Sequence, residues 1–173
     1  KVIICPKKCR AHQMNSGAEE AIFPQLYFIH ADVLPPENFI AEIEKFKTQG
    51  YLAGSFLSVF NSNKKILLIN QKLNKSKHLF YRGGGDQSLY IQKHFFNDLG
   101  GFNEQMAIME DFELMRKILQ NKALGLSNCT VLVSDRKYQN NPYIVVSIAY
   151  VLAYSLFYVG VSSLTIRKMY RFL

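Results

Sequence analysis

Leu26-Tyr27-Phe28-Ile29-His30-Ala31-Asp32, followed at once by Val33-Leu34-Pro35-Pro36, is the stretch on which the fold turns. Leu26 to Ile29 is an apolar run of strand length with no polar alternate positions, the pattern of a strand buried on both faces of a parallel sheet. His30 and Asp32 follow at i and i+2, which on an extended strand end point the same way. A carboxylate with an imidazole beside it can hold a divalent cation, and the cation can clamp a diphosphate. The same spacing fits a plainer role, with Asp32 capping the loop before Pro35 and His30 packing.

Working outward, Val2-Ile3-Ile4 is a short β-branched strand candidate closed by Pro6, and Gln13 to Ala21 is rich in helix formers. Downstream, Pro35-Pro36-Glu37 opens a helix in which Phe39, Ile40, Ile43 and Phe46 recur at helical spacing until Gly50. A strand pattern runs from Tyr51 to Phe60, and a lysine-rich stretch from Lys64 to His78 reads as a surface helix and loop. Gly83-Gly84-Gly85 breaks regular structure. Leu89 to Ile91 reads as a strand, Lys93 to Leu99 as a helix, Gly100-Gly101 as a turn, and Met109 to Asn121 as an amphipathic helix. Alternating β and α elements imply an α/β layered sheet, whose ligands bind beyond the carboxyl ends of the strands, where Asp32 is expected.

Two acidic residues open the last of these helices. Glu110 and Asp111 suit the positive end of a helix dipole, and they equally suit a general base that takes the proton of an attacking hydroxyl. Gly83-Gly84-Gly85-Asp86-Gln87 is no P-loop, because it lacks the Gly-Lys-Ser/Thr ending. It reads either as a flexible turn or as backbone that approaches a ligand, with Asp86 and Gln87 offering hydrogen bonds to hydroxyls.

Length and composition bound the rest. A chain of 173 residues can bury a core without disulfides or a structural metal. Residues 1–140 read as one domain and 141–173 as an apolar helical tail. The net charge of +8 favours anionic partners, yet no dense arginine stripe interleaved with aromatics appears, which argues against a nucleic-acid reader. Cys5, Cys9 and Cys129 are odd in number and lack a second metal-type pair, so they read as ordinary thiols of a reducing compartment. Tyr143 to Leu164 carries no charge and is long enough to span a bilayer, but its tyrosines, serines and Gly160 favour interfacial or core-docked helices. The basic residues from Arg167 to Arg171 are expected on the cytoplasmic side, with the protein cytoplasmic or peripheral at the inner face of the membrane.

Four segments in order carry a resemblance: Arg10-Ala11-His12-Gln13-Met14-Asn15-Ser16-Gly17-Ala18; Phe28-Ile29-His30-Ala31-Asp32 with Pro35-Pro36; Gly85-Asp86-Gln87; and Leu99-Gly100-Gly101-Phe102 leading to Met109-Glu110-Asp111-Phe112-Glu113-Leu114. Together they resemble the bacterial family 2 glycosyltransferases of the radical-SAM/selenodomain-associated transferase 2 type, over most of Ile3 to Tyr138. The resemblance implies a GT-A-like mixed sheet flanked by helices and transfer of a sugar from a nucleotide-diphospho-sugar donor to an acceptor hydroxyl, with inversion. It implies that Asp32, with His30 where relatives keep a first aspartate, binds a divalent cation (Mg or Mn) and the donor diphosphate. Arg10, Gln13 and Asn15 would lie near the donor, Gly85, Asp86 and Gln87 on the acceptor side, and Asp111 with Glu110 at the catalytic base. Such proteins begin with a strand, a loop and an aspartate that hold the nucleobase, and Val2 to Ile4 matches a later part of their pattern. The expectation is therefore a GT-A sheet incomplete at the N-terminus, either a fragment of a longer chain or a shortened, non-catalytic relative that binds a membrane or a partner.

Overall fold

The computed structural model describes residues 1–60, 87–134 and 142–172. Helix α1 spans Arg10–Glu20, and strand β1 spans Gln25–Phe28. The two-residue β2 (Val33–Leu34) leads to helix α2 (Phe39–Thr48) and strand β3 (Ala53–Phe60). Strand β4 (Leu89–Gln92) runs into the short helix α3 (Lys93–Asp98), and helix α4 (Glu110–Gln120) into strand β5 (Leu124–Val133). Helices α5 (Tyr143–Tyr158) and α6 (Ser163–Phe172) follow.

The strands form one mixed sheet in the order β1-β4-β3-β5-β2. Only β3 and β5 pair in parallel among the described strands; β4 is antiparallel to both of its neighbours, and β2 is antiparallel to β5. The expected parallel strand at Leu26 to Ile29 is thus corrected: β1 exists, but it pairs antiparallel with β4 at one end of the sheet and is only half-buried apart from Leu26. Val2-Ile3-Ile4 forms no strand; Val2 and Ile4 are both 91% exposed, so β propensity without a partner ladder leaves the segment irregular. Strand β5 carries no clear alternation in sequence, yet it is the parallel partner of β3. The lysine-rich stretch and Gly83 to Asp86 lie outside the described residues.

Two apolar layers cover the sheet. On one face α1, α3 and α4 bring Ala11, Ala18, Phe95, Phe96, Leu114, Met115 and Ile118 against Leu26, Ala53, Ile91 and Leu124. On the other, α2 lays Phe46 against Phe56, Tyr90 and Val131. Gly54 and Gly125 stand opposite each other in the β3–β5 ladder, and the Phe46 ring lies on both. A Cβ on Gly125 would stand 2.6 Å from Phe46 Cδ1, and one on Gly54 would overlap the same ring. The α2 carboxylate Glu42 is buried beside it, accepts a hydrogen bond of 2.6 Å from Ser127 Oγ on β5, and pairs with Lys45. Lys45 first and Ser127 second hold its carboxyl below the ordinary glutamate range.

A side chain added at Gly54 forces the ring off the sheet. Gly54→Ala is expected to cost about 1–3 kcal/mol of stability, the usual range for overpacking. Thermal unfolding measures it, and adding Phe46→Leu is expected to return part of the loss, because the two sites share one space.

Candidate functional site

Met109 precedes α4 in the left-handed conformation, φ 74°, although it is neither glycine nor asparagine and is buried. Strain of this kind persists where the surroundings over-determine it. Here it turns the chain from an irregular loop into α4 so that Glu110 and Asp111 start the helix, next to the unpaired N–H groups and the positive dipole end. Glu110 is almost fully buried, its side chain 3% exposed, and Asp111 is 14% exposed.

Both carboxylates meet one guanidinium. Arg10, first residue of α1, pairs through Nε with Glu110 Oε1 and donates from Nη2 to Asp111 Oδ2 at 2.8 Å. Burial works to lower the basicity of Arg10, but Asp111 and Glu110 together outweigh it and hold the group above its ordinary value. The arginine is therefore a permanent cation, with its side chain half-exposed at 49%.

His30 and Asp32 come to the same place from β1. Burial first, and Arg10 second, push the His30 imidazole below its ordinary value, while Asp32 and Glu110 pull the other way. The net result is a neutral ring at pH 7 with a lone pair to offer, within electrostatic reach of Arg10, Asp32 and Glu110 alike. Asp32 is exposed; its main-chain carbonyl accepts from Ser134 N at 3.1 Å, and its carboxylate has no hydrogen bond or ion pair with a described residue. Gln87 is buried two residues before the start of β4. Continuing the β1–β4 register past Phe28↔Leu89 carries Gln87 toward the same sheet end as His30.

The other expected donor-side residues have different surroundings. Gln13 is exposed on α1. The Asn15 amide is engaged by its own fold: Nδ2 donates to Phe102 O at 2.8 Å and to Glu104 Oε1 at 3.1 Å, and Oδ1 accepts from Phe102 N at 2.9 Å. Gly101 has φ 65°, and a Cβ there would stand 2.9 Å from Asn15 Oδ1, so the glycine is what lets this loop lie on α1. His12 joins through Nδ1, 3.1 Å from Glu104 Oε2. Gly85 and Asp86 lie outside the described residues. Glu104 received no role from the sequence, since a lone acid in an irregular loop has no pattern to betray it, yet it ties α1 to the segment that leads into Met109.

The Asp32 carboxylate is the donor type that a hard divalent cation accepts, whereas the His30 imidazole suits a softer ion better than Mg²⁺, which commonly takes one or two carboxylates plus substrate phosphates in place of a full protein cage. Among the described residues no group of three or more His, Cys, Asp or Glu could hold a metal ion. All three cysteines are free thiols.

Compared with models of known protein families, with curated proteins and with solved structures, the chain matches none.

Removing the Arg10 guanidinium leaves the buried Glu110 carboxylate without its ion-pair partner. Arg10→Met is expected to destabilise the fold by about 1–3 kcal/mol, less than the penalty for a fully buried pair because the arginine is half in water. Denaturant unfolding checks this, and combining it with Glu110→Gln is expected to recover most of the loss.

Proposed function

We propose that this protein transfers a glycosyl group from a nucleotide-diphospho-sugar to an acceptor hydroxyl, as the family 2 resemblance implies. The observation that carries the reading is a chain of neighbours from separate parts of the sequence: Arg10 pairs with Glu110 and Asp111, and His30 feels Arg10, Asp32 and Glu110. Such a group holds one permanent cation, one neutral imidazole and three carboxylates, the parts needed to seat a diphosphate and deprotonate an alcohol.

Asp32 and His30 would hold a Mg or Mn ion, which when bound supplies positive charge to the departing diphosphate. Arg10 adds a half-exposed, fixed cation. Asp111 is the better of the two bases: it is partly accessible, whereas Glu110 is buried against Arg10. Its carboxylate accepts the proton of the acceptor hydroxyl as the oxygen attacks the anomeric carbon from the face opposite the leaving group, which inverts that centre. The resemblance also puts Gln87, buried just ahead of β4, on the acceptor side. The GT-A-like architecture belongs to the same proposal and is supported by the mixed order of the sheet with its antiparallel β4.

One observation favours a second reading, a non-catalytic relative that binds a partner or a membrane. Arg10 engages both Glu110 and Asp111, as a purely structural clamp would.

The two readings part in one set of measurements. Calorimetry with UDP or GDP in MnCl₂ is expected to show metal-dependent binding that Asp32→Asn weakens about tenfold or more, in keeping with lost metal-site contacts. Transfer from a panel of nucleotide-sugars is expected to fall about 10²–10⁴-fold in Asp111→Asn, the size of a lost general base, with nucleotide binding retained. Full transfer rates in Asp111→Asn, or no metal-dependent binding of either nucleotide, would defeat the proposal.

A further inference from the structure

Helix α5 is apolar all the way round. Val146, Ala149, Ala153 and Phe157 form its buried stripe, and Ala153 and Phe157 pack on Met109, Phe112 and Ile166. The opposite stripe is mostly apolar and exposed, interrupted by one serine, Ser155: Ile144 is at 66%, Ile148 at 50%, Val151 at 47%, Leu152 at 41%, Tyr158 at 73% and Val159 at 72%. An ordinary surface helix would carry charge there, and a helix apolar on every side belongs in a core or in lipid. Scattered exposed aliphatics need no explanation, but a continuous stripe at i, i+4, i+7 and i+8 marks a contact surface.

What covers the stripe is indicated by its length and by the charge around it. At about 1.5 Å per residue α5 is about 24 Å long, short of a hydrocarbon core of about 30 Å. None of the described helices is long and apolar enough to cross a membrane. The sequence from Arg136 to Leu173 contains five basic residues and no acidic one. On α6, exposed Arg167 and Lys168 stand three and four residues after exposed Leu164, so cations and an aliphatic side chain share one helix face, while Ile166 points into the core. An apolar helical stripe with exposed Tyr158 at its end, followed in sequence by exposed arginine and lysine and by no acid, is the chemistry of a helix lying in the plane of an anionic bilayer surface.

We infer that the outer face of α5, with the basic face of α6, seats this protein on an anionic lipid surface. The helix pair lies in the interface plane, with Ile148, Val151 and Leu152 entering the acyl boundary and Arg167 and Lys168 at the headgroups. The inference stands without glycosyl transfer, since the surface is built from the tail and uses no carboxylate of the site.

The chain contains no tryptophan, so a single Val151→Trp is an unambiguous reporter. With vesicles of phosphatidylcholine and phosphatidylglycerol its emission is expected to shift to the blue and to be quenched by brominated acyl chains, while Gln49→Trp, exposed on the helix α2 cap, stays unchanged. Co-sedimentation of the unmodified full chain is expected to favour these vesicles over pure phosphatidylcholine by about tenfold or more, and to weaken as salt screens the charges. Ile148→Glu with Leu152→Glu is expected to abolish it without altering far-UV circular dichroism, because both positions face outward. Equal binding to both vesicle types, no binding at low salt, or binding that survives the double substitution overturns the inference. So does a dimer, found by sedimentation equilibrium, that the same double substitution dissolves without any vesicle binding, since the face would then belong to a second copy.

Discussion

A carboxylate as deeply buried as Glu110 requires a cation, and Arg10 supplies it across a hundred residues of sequence. Truncating a partner of this kind leaves an uncompensated charge in a poor solvent, so the contact dictates where the first residue of α1 must lie relative to the first of α4. The remaining features of that region are consistent with the same demand. Asn15, His12 and Glu104 bind the loop after Gly101 along α1, and Met109 accepts a left-handed backbone to start α4 at the right point. The acids then act on Arg10, and Arg10, Asp32 and Glu110 on His30, as the raised Arg10 and the lowered His30 record.

Much of the architecture was legible because periodicity reports local structure well. Helices α2, α3 and α4 and strands β3 and β4 fall where apolar spacing and turn residues put them, within a residue or two at each end. Pairing direction was not legible. An apolar run such as Leu26 to Ile29 states that a segment is strand-like; whether its neighbour runs with it or against it is decided by β4, which arrives some sixty residues later. Strand β5 escaped because Gly125, Ser127 and Asn128 interrupt its apolar residues and the β3–β5 register shifts between Ser55 and Leu57. Val2 to Ile4 shows the opposite case, good local propensity with no ladder to join.

The candidate site was legible as a set of residues and not as a set of interactions. His30, Asp32, Glu110 and Asp111 attract notice as side chains of the right type at element ends. That Arg10 grips both acids, that burial and Arg10 keep His30 neutral, and that Asn15 serves the backbone of Phe102 are facts of tertiary geometry with no trace in spacing.

Phe112 follows Asp111 directly, and its ring meets Tyr150, Tyr154 and Phe157 of α5 at centroid distances of 6.0, 5.7 and 6.1 Å, while Arg116 lies over the Phe157 ring. Ser163 at the start of α6 also accepts from Ala107 N in the loop before Met109. The helix that opens on the two acids is thus also the one on which the tail docks, so the aromatic joint with α5 and the acidic start of α4 share a first turn.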